Sequence, residues 1–236
     1  MEKQQTLLKF ISRRWHDIGL VSAILAGAYL ASAWSDLEVL QRLLLLNFIV
    51  VLLHQFEEYS WPGGFPAVAN LVMLTGPMKR YFKPLNQLSS MAANVLFAYI
   101  VYLIPVFFPD VIWLGLGPVL MGAVLQVIGH AIFVNIRIRS LWSPGAATAV
   151  FGFLPVGVLY IDHIQTNNLA TASDWVLAVL WLFVAGYLVF YLVEQKLLGD
   201  APYPFDQDEM ERCDIPGKLE RATRRRDEKK LQLARR

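Results

Sequence analysis

Long apolar stretches without a single charged residue make up most of the middle of the chain. They are rich in Leu, Val, Ile, Phe and Ala, and a helix that crosses a lipid bilayer needs about 20 residues of this kind. Soluble helices place polar residues on one face every few positions, whereas these stretches have almost none. Five windows free of Asp, Glu, Lys and Arg meet the requirement: 18–35, 84–109, 111–136, 140–161 and 175–193.

A sixth apolar stretch, residues 39–58, is interrupted by charge near both ends. Its charge-free part covers only 14 residues, 43–56. It still spans the bilayer if Arg42 reaches one interface with its long side chain and Glu57 and Glu58 reach the other. In hydrocarbon, helices satisfy their own backbone hydrogen bonds. The pattern therefore predicts an all-α fold, a polytopic transmembrane helical bundle with about six spanning helices.

Basic and acidic residues alternate between the predicted loops. One set of loops carries Asp36, Glu38, Asp110 and Asp174. The other set and both ends of the chain are basic, and short cytoplasmic loops of membrane proteins carry an excess of Lys and Arg. Both termini are therefore predicted to be cytoplasmic. The basic residues are Lys3, Lys9, Arg13, Arg14, Lys79, Arg80, Lys83, Arg137, Arg139, Lys196, Arg221, Arg224, Arg225, Arg226, Lys229 and Lys230.

This topology divides the chain into a cytoplasmic N-terminal segment (1–17), a transmembrane bundle (18–198) and a polar cytoplasmic tail (199–236). Residues 59–78 are charge-free but are broken by several Pro and Gly residues, and a spanning helix there would place the next basic loop outside. We interpret them as a re-entrant or interfacial segment on the cytoplasmic side. Residues 218–236 are either a charged helix or disordered, and they either remain solvated or contact anionic lipid.

The composition limits the classes of partner. The chain is 56% hydrophobic and 17% charged, well below the roughly one quarter of charged residues in soluble domains. A net charge of +2 is too small to indicate nucleic acid. The expected partner is the lipid bilayer, and no nucleic acid is expected. The single cysteine, Cys213, excludes an internal disulfide.

A polar cluster at the end of the second predicted helix is the strongest candidate for chemistry. Glu57 and Glu58 follow His54 by three and four residues, so the imidazole and both carboxylates share one helix face. Asn47 lies on the same stripe. Ionisable groups inside a membrane are costly and are therefore functional candidates. The spacing suits metal ligation by the histidine and one carboxylate, with the other as general base or as a group that orients a ligand.

A second histidine for such a site must come from another helix, and His130 fits the topology. The fourth predicted helix runs inward, so His130 lies near its cytoplasmic end, where the second helix also ends. Asn94 and Asn135 map to the same leaflet, and Gln126, one turn before His130, is expected to face inward as well. The predicted metal ligands are His54, Glu57, Glu58 and His130, and the predicted catalytic residues are Glu57, Glu58, Asn94 and Asn135.

Three functions are compatible with this cluster. The first is a metal-dependent membrane hydrolase, in which Zn²⁺ or a similar divalent ion activates water and a glutamate acts as general base. An asparagine would stabilise the oxyanion, and the substrate would be a lipid or another membrane-embedded molecule. The second is an ion- or proton-coupled transporter of small solutes. The third is a structural or regulatory membrane protein, in which the cluster is a polar cap and the asparagines join helices.

Two further His-Asp pairs are predicted to lie outside this cluster. Asp162 and His163 fall toward the outer end of the fifth helix, and His16 and Asp17 precede the first helix. We interpret both pairs as interfacial.

The cluster also gives the chain a family resemblance. The pentapeptide His54-Gln55-Phe56-Glu57-Glu58 resembles the His-x-x-Glu-Glu pattern of the HXXEE-domain membrane proteins. Further similar elements are the Trp61-Pro62-Gly63-Gly64-Phe65 turn, His130 with Asn135, and Ser143-Pro144-Gly145. The resemblance covers about residues 40–196. It implies an integral membrane domain of uncharacterised activity and supports the importance of His54, Glu57 and Glu58.

A looser similarity is to the CAAX-type intramembrane proteases, which carry a Glu-Glu pair on one helix and His and Asn residues on others. The chain departs from that pattern in two ways. No Arg follows Glu58 at that family's spacing, and His130 and Asn135 are five residues apart instead of four. We treat this similarity as an analogy of chemistry alone.

Overall fold

The computed structural model describes residues 2–73 and 85–234, whose regular elements are all helices. This confirms the predicted all-α fold. A short helical stretch, Phe65–Ala67 continued by Val68–Met73, lies between α2 and α3 and is called the 65–73 segment. The numbered helices are α1 (Glu2–Ser32), α2 (Val39–Tyr59), α3 (Gln87–Phe107), α4 (Ile112–Ile138), α5 (Ala146–Thr166), α6 (Ala172–Leu197), α7 (Gln207–Glu211) and α8 (Ile215–Ala234).

Five helices of the described chain, α2 to α6, are long and apolar enough to cross a membrane. Their bounds follow the charge-free windows closely, with one clear difference. The fifth window begins at residue 140, but α5 begins at Ala146. The intervening turn contains Gly145 at φ +87°, a left-handed conformation that glycine adopts without strain. The predicted first span corresponds to the second half of α1, which is not among the five.

Helix α2 is the centre of the bundle. In its apolar window 61% of the residues are buried, against 17% in α6. It packs against α1, α3, α4 and α5, and its Leu44 and Leu52 belong to a core with Leu116, Phe153 and Tyr160. Because α2 contacts protein on most sides, polar side chains on it can be held away from both lipid and water.

A second apolar cluster closes one end of the bundle and ties the tail to it. Trp15 of α1 and Tyr59 of α2 pack there with Phe205, Met210 and Ile215 of the tail. We call this the tail end; it also contains the 65–73 segment, the start of α3 and the turn after α4. The opposite end, with the turns after α1, α3 and α5, is called the far end.

Polar contacts reinforce the docking of the tail. Arg212 donates hydrogen bonds to the carbonyl oxygens of Tyr59 (2.8 Å) and Ser60 (3.0 Å). Gln87 donates to Glu209 (2.7 Å), and Arg13 forms an ion pair with Asp206. The first part of the tail is therefore packed protein. Residues 215–234 form a helix, which is one of the two alternatives predicted for the end of the tail.

Part of the topology prediction lies outside the described residues. This applies to Lys79, Arg80 and Lys83 and to the last five residues of the 59–78 stretch. Residues 59–73 of that stretch end α2, turn at Gly63 and Gly64, and pack as the 65–73 segment within the cluster at the tail end.

Candidate metal centre

Helix α2 presents His54 and Glu58 on the same face, one turn apart. Both are buried, with 2% and 4% of their surface exposed. His54 Nε2 lies 3.5 Å from Glu58 Oε1, slightly beyond hydrogen-bonding distance. The i,i+4 spacing read from the sequence thus places the two side chains beside each other inside the bundle.

Helix α4 supplies His130 to the same point. This residue is also 2% exposed, and its Nε2 lies 3.2 Å from Glu58 Oε1. The rings of His54 and His130 are perpendicular, with centroids 4.9 Å apart. Ligand atoms of the three residues all lie within 4.8 Å of one another. The structure thus brings together three of the four predicted metal ligands.

The other ring nitrogen of each histidine is committed to a hydrogen bond. His130 Nδ1 lies 2.6 Å from the carbonyl oxygen of Pro144, which can only accept, so Nδ1 carries the proton. His54 Nδ1 lies 2.8 Å from Thr148 Oγ1, whose own hydrogen goes to Glu57. In its neutral form, each ring therefore turns an unprotonated Nε2 toward Glu58. His54 Nε2 has no hydrogen-bond partner among the described atoms.

Glu57 does not share the partners of Glu58, its neighbour in the sequence, but contacts the start of α5. Its Oε1 accepts from the backbone N–H of Ala147 (3.1 Å), and its Oε2 accepts from the N–H (2.8 Å) and hydroxyl (2.5 Å) of Thr148. These groups form the first turn of α5, where free N–H groups and the helix dipole favour an anion. Glu57 is thus joined to His54 through Thr148, and it is not one of the three clustered donors.

The turn before α5 forms a wall of the centre. Ser143 donates its hydroxyl to the carbonyl of His130 at 2.9 Å. Gly145 leaves no room for a side chain: a Cβ there would lie 2.7 Å from His130 Nδ1 and 2.8 Å from His54 Cε1. Phe153 and Phe65 cover the histidines, with ring centroids 5.3 Å from His54 and 5.5 Å from His130. The centre is enclosed by backbone and aromatic rings.

The two predicted catalytic asparagines make their hydrogen bonds elsewhere. Asn94 donates to the carbonyl of Ser90 (2.9 Å) and accepts from Gln55. Asn135 donates to the carbonyls of Ala131 and Leu141, both at 3.2 Å, and so holds the turn that ends α4. Their catalytic roles stay predictions.

The other two histidines, His16 and His163, make their contacts away from this centre. At the far end, Asn167 donates to the carbonyl of His163 at 2.8 Å. At the tail end, His16 is buried beside Tyr59, and Asp17 accepts from Ser60 at 2.7 Å. Burial lowers the pKa of His16, although Asp17 acts in the opposite direction.

Sequence reasoning missed the residues that orient the centre. Thr148 carries no sequence signal, because a threonine at the start of an apolar helix is common. In the sequence, Ser143-Pro144-Gly145 stands out only as an element of the family resemblance. Its roles, a carbonyl acceptor for His130 and a backbone wall against both imidazoles, depend on how α4 and α5 pack.

The comparisons with known proteins agree with the sequence motif. Residues 45–160 match a family model described as "Protein of unknown function with HXXEE motif". This supports the resemblance to the HXXEE proteins, over a shorter stretch than the 40–196 expected. It gives no support to the likeness to CAAX-type proteases. No curated protein and no solved structure matches the chain.

Proposed function

We propose that His54, Glu58 and His130 hold a divalent metal ion. The observation that carries the proposal is the position of three potential metal ligands: the Nε2 atoms of two histidines and a carboxylate oxygen converge in a buried space, and His54 Nε2 has no hydrogen-bond partner among the described atoms. A single proton on Glu58 would satisfy one imidazole and leave the other unpaired, at a cost of about 1–3 kcal/mol. A cation satisfies all three donors at once.

The distances from Glu58 to the two histidines suit zinc. Ligands bonded to Zn²⁺ at about 2.0–2.2 Å in a tetrahedron lie roughly 3.3–3.6 Å from one another. The two Nε2–Oε1 separations are 3.2 and 3.5 Å. Two histidines and one glutamate, with a fourth position for water, are a donor set of catalytic zinc sites. The hydrogen bonds on each Nδ1 are the outer contacts that fix metal-bound histidines.

The chemistry that this centre supports best is metal-dependent hydrolysis inside the membrane. A bound metal would lower the pKa of a coordinated water to about 7. Glu57 would orient His54 through Thr148, since three donated hydrogen bonds occupy its carboxylate. The substrate would be a lipid or another membrane-embedded molecule that reaches the site from the cytoplasmic leaflet.

The same proposal includes six spans with both termini in the cytoplasm. Its support is that the start of α1 and the tail meet at one end, through Trp15 with Phe205 and through Arg13 with Asp206. From there α1 follows α2 along its length, since Leu30 shares the core with Leu40. The tail end would then face the cytoplasm, and the 65–73 segment would be re-entrant or interfacial.

Metal analysis of the purified full-length protein tests the centre. We expect about one equivalent of zinc per chain in the wild type, and a loss of most of it in His54→Ala, His130→Ala and Glu58→Gln. His163→Ala is the matched control, because it removes a histidine at the far end and should leave the metal content unchanged. Absence of stoichiometric metal in the wild type, or equal metal in His54→Ala, would refute the proposal.

A proton-coupled transporter is the second candidate, favoured by one observation. Glu194 is a buried carboxylate within α6, and buried acids in membrane helices often serve proton relays. Proton flux into liposomes that is abolished by Glu194→Gln and by Glu58→Gln, and retained in the exposed variant Glu38→Gln, would favour transport. Flux that is unchanged in both buried variants would exclude it.

A further inference from the structure

A second polar site lies at the tail end, outside the metal centre. It is a cavity of about 240 Å³ between the end of α4 and helix α8. Ile138 and Ala222, both buried, provide its apolar part. Its other lining residues are Arg139, Ser140, Lys218, Arg221 and Arg225. Four cationic side chains thus line one small cavity, and no described acidic residue lines it.

The basic face is built by helix spacing. Lys218, Arg221 and Arg225 follow one another by three and four residues, so they lie on one face of α8. Ala222 is buried and lines the cavity together with Ile138 of α4. Among the lining residues, Arg221 is partly neutralised, because it donates to Asp214 at 2.7 Å. Lys218 lies 5.7 Å from the ring of Trp142.

The other side of the cavity is fixed by the turn that ends α4. Arg139 adopts a left-handed conformation with φ 49°, and Ser140 N–H donates to the carbonyl of Asn135 at 3.0 Å. The Asn135 side chain closes the same turn through the carbonyl of Leu141. Hydrogen bonds within the turn therefore fix the backbone that bears Arg139 on the side of the cavity opposite α8.

We infer that this cavity binds the phosphate group of an anionic phospholipid. The inference rests on the proposed topology, in which the tail end faces the cytoplasm. Guanidinium groups match phosphate oxygens in charge and geometry, and basic cavities beside membrane helices on the cytoplasmic side are sites for anionic headgroups. The lipid is favoured over a soluble phosphate because the cavity sits where α4, a candidate spanning helix, leaves the bundle. Exposed apolar side chains of α4, Phe133 and Ile136, lie just before it and suit the acyl chains.

Binding of short-chain lipids to the full-length protein in a neutral detergent tests the inference. Calorimetric titration with dioctanoyl phosphatidylglycerol should give saturable binding, and dioctanoyl phosphatidylcholine and inorganic phosphate should bind at least about tenfold more weakly. The double variant Arg139→Gln/Lys218→Gln should weaken phosphatidylglycerol binding by more than about tenfold, at about fivefold per charge removed.

The matched control is Arg137→Gln/Arg224→Gln. It removes the same charge from the same two helices but outside the cavity, since Arg137 lies over Phe133 and Arg224 pairs with Glu228. At physiological salt this control should lose less than about threefold. Equal losses in the two double variants would overturn the inference in favour of diffuse attraction, and so would phosphate binding as tight as that of the lipid. Arg139→Lys with Lys218 intact keeps the charge but loses the planar guanidinium, so it should bind more tightly than Arg139→Gln and more weakly than the wild type, which separates charge loss from misfolding.

Discussion

The two ends of the bundle carry similar polar residues, but these residues hydrogen-bond to different kinds of partner. At the far end, Thr171 and Asp174 bond to each other across one turn, and Asn167 bonds to His163 four residues before it. At the tail end, polar contacts join distant parts of the chain: Glu57 to Thr148, 91 residues later, and Arg212 to Tyr59, 153 residues earlier. The same residue types thus make local caps at one end and a converging site at the other.

The difference follows from enclosure. At the far end Asp162 is exposed and His163 is only partly buried, so neither side chain needs a precise partner within the protein. His54 and His130 are buried by neighbouring helices, so each polar atom requires a partner within the protein. A polar pair in the sequence becomes a site only where several helices cover it.

The largest expected effect comes from closing the space between the two imidazoles. Gly145→Ala places a methyl group against both rings and strains a left-handed backbone. We expect loss of the metal and a decrease of about 2–4 kcal/mol in the free energy of unfolding, measured by metal analysis and thermal unfolding. Gly27→Ala is the control, since no atom lies within 4 Å of the position that its methyl group would occupy. Retained metal in Gly145→Ala would contradict the assigned wall.

Thr148→Val tests the link between Glu57 and His54. The change keeps the shape but removes the hydroxyl that donates to Glu57 and accepts from His54. We expect the affinity for zinc to fall about 10–100-fold, measured by competition with a chelator, and Thr148→Ser to restore it. Thr171→Val, at the far end, should cost about 1 kcal/mol of stability through its lost helix cap without changing zinc affinity. Equal zinc affinity in Thr148→Val and wild type would remove the orienting role.

Arg212→Gln tests how strongly the tail is held. Two hydrogen bonds to backbone carbonyls are lost, although the side chain is about one third exposed and water replaces part of the interaction. We expect a decrease of roughly 1–2 kcal/mol in the free energy of unfolding and faster proteolysis of the tail. Arg224→Gln, whose guanidinium is more exposed, should behave like the wild type. A tail that is equally protected in both variants would show that the apolar cluster alone holds it.

The smallest effect concerns pH and His16. Because burial lowers the pKa of His16 below its ordinary value of 6.5, the unfolded chain takes up a proton there that the folded chain does not. Stability should therefore fall as the pH falls below about 6.5. In His16→Gln, the change in unfolding temperature between about pH 7.5 and pH 5.5 should be smaller than in the wild type, and His163→Gln serves as control. An unchanged pH profile would exclude a contribution from His16.

The hydrophobic pattern and the helix spacing predicted the helical architecture and the meeting of His54, Glu58 and His130. The charge-free windows predicted α3 to α6 and the interrupted apolar stretch predicted α2, because lipid permits little other than long apolar helices. The i,i+4 relation predicted that His54 and Glu58 meet, and the topology brought His130 to the same level.

The partners that complete the site depend on packing that the sequence does not reveal. The choice between Glu57 and Glu58 as ligand depends on a rotation of α2 that places one carboxylate against α5 and the other between the histidines. Asn94 and Asn135 share the depth of the centre but face other neighbours. Nothing in the charged, Pro-containing sequence of the tail predicted that Met210 and Ile215 would be fully buried.

The ion pair between Arg13 and Asp206, together with the contact of Trp15 with Phe205, has a consequence for biogenesis. Ribosomes deliver Arg13 before any apolar span has been made and Asp206 only after all five have emerged. The part of α1 that carries Arg13 and Trp15 therefore lacks its partners in the tail until α2 to α6 have been synthesised. The contact between α1 and the tail is therefore one of the last to form, because it joins segments that are synthesised before and after the five apolar helices.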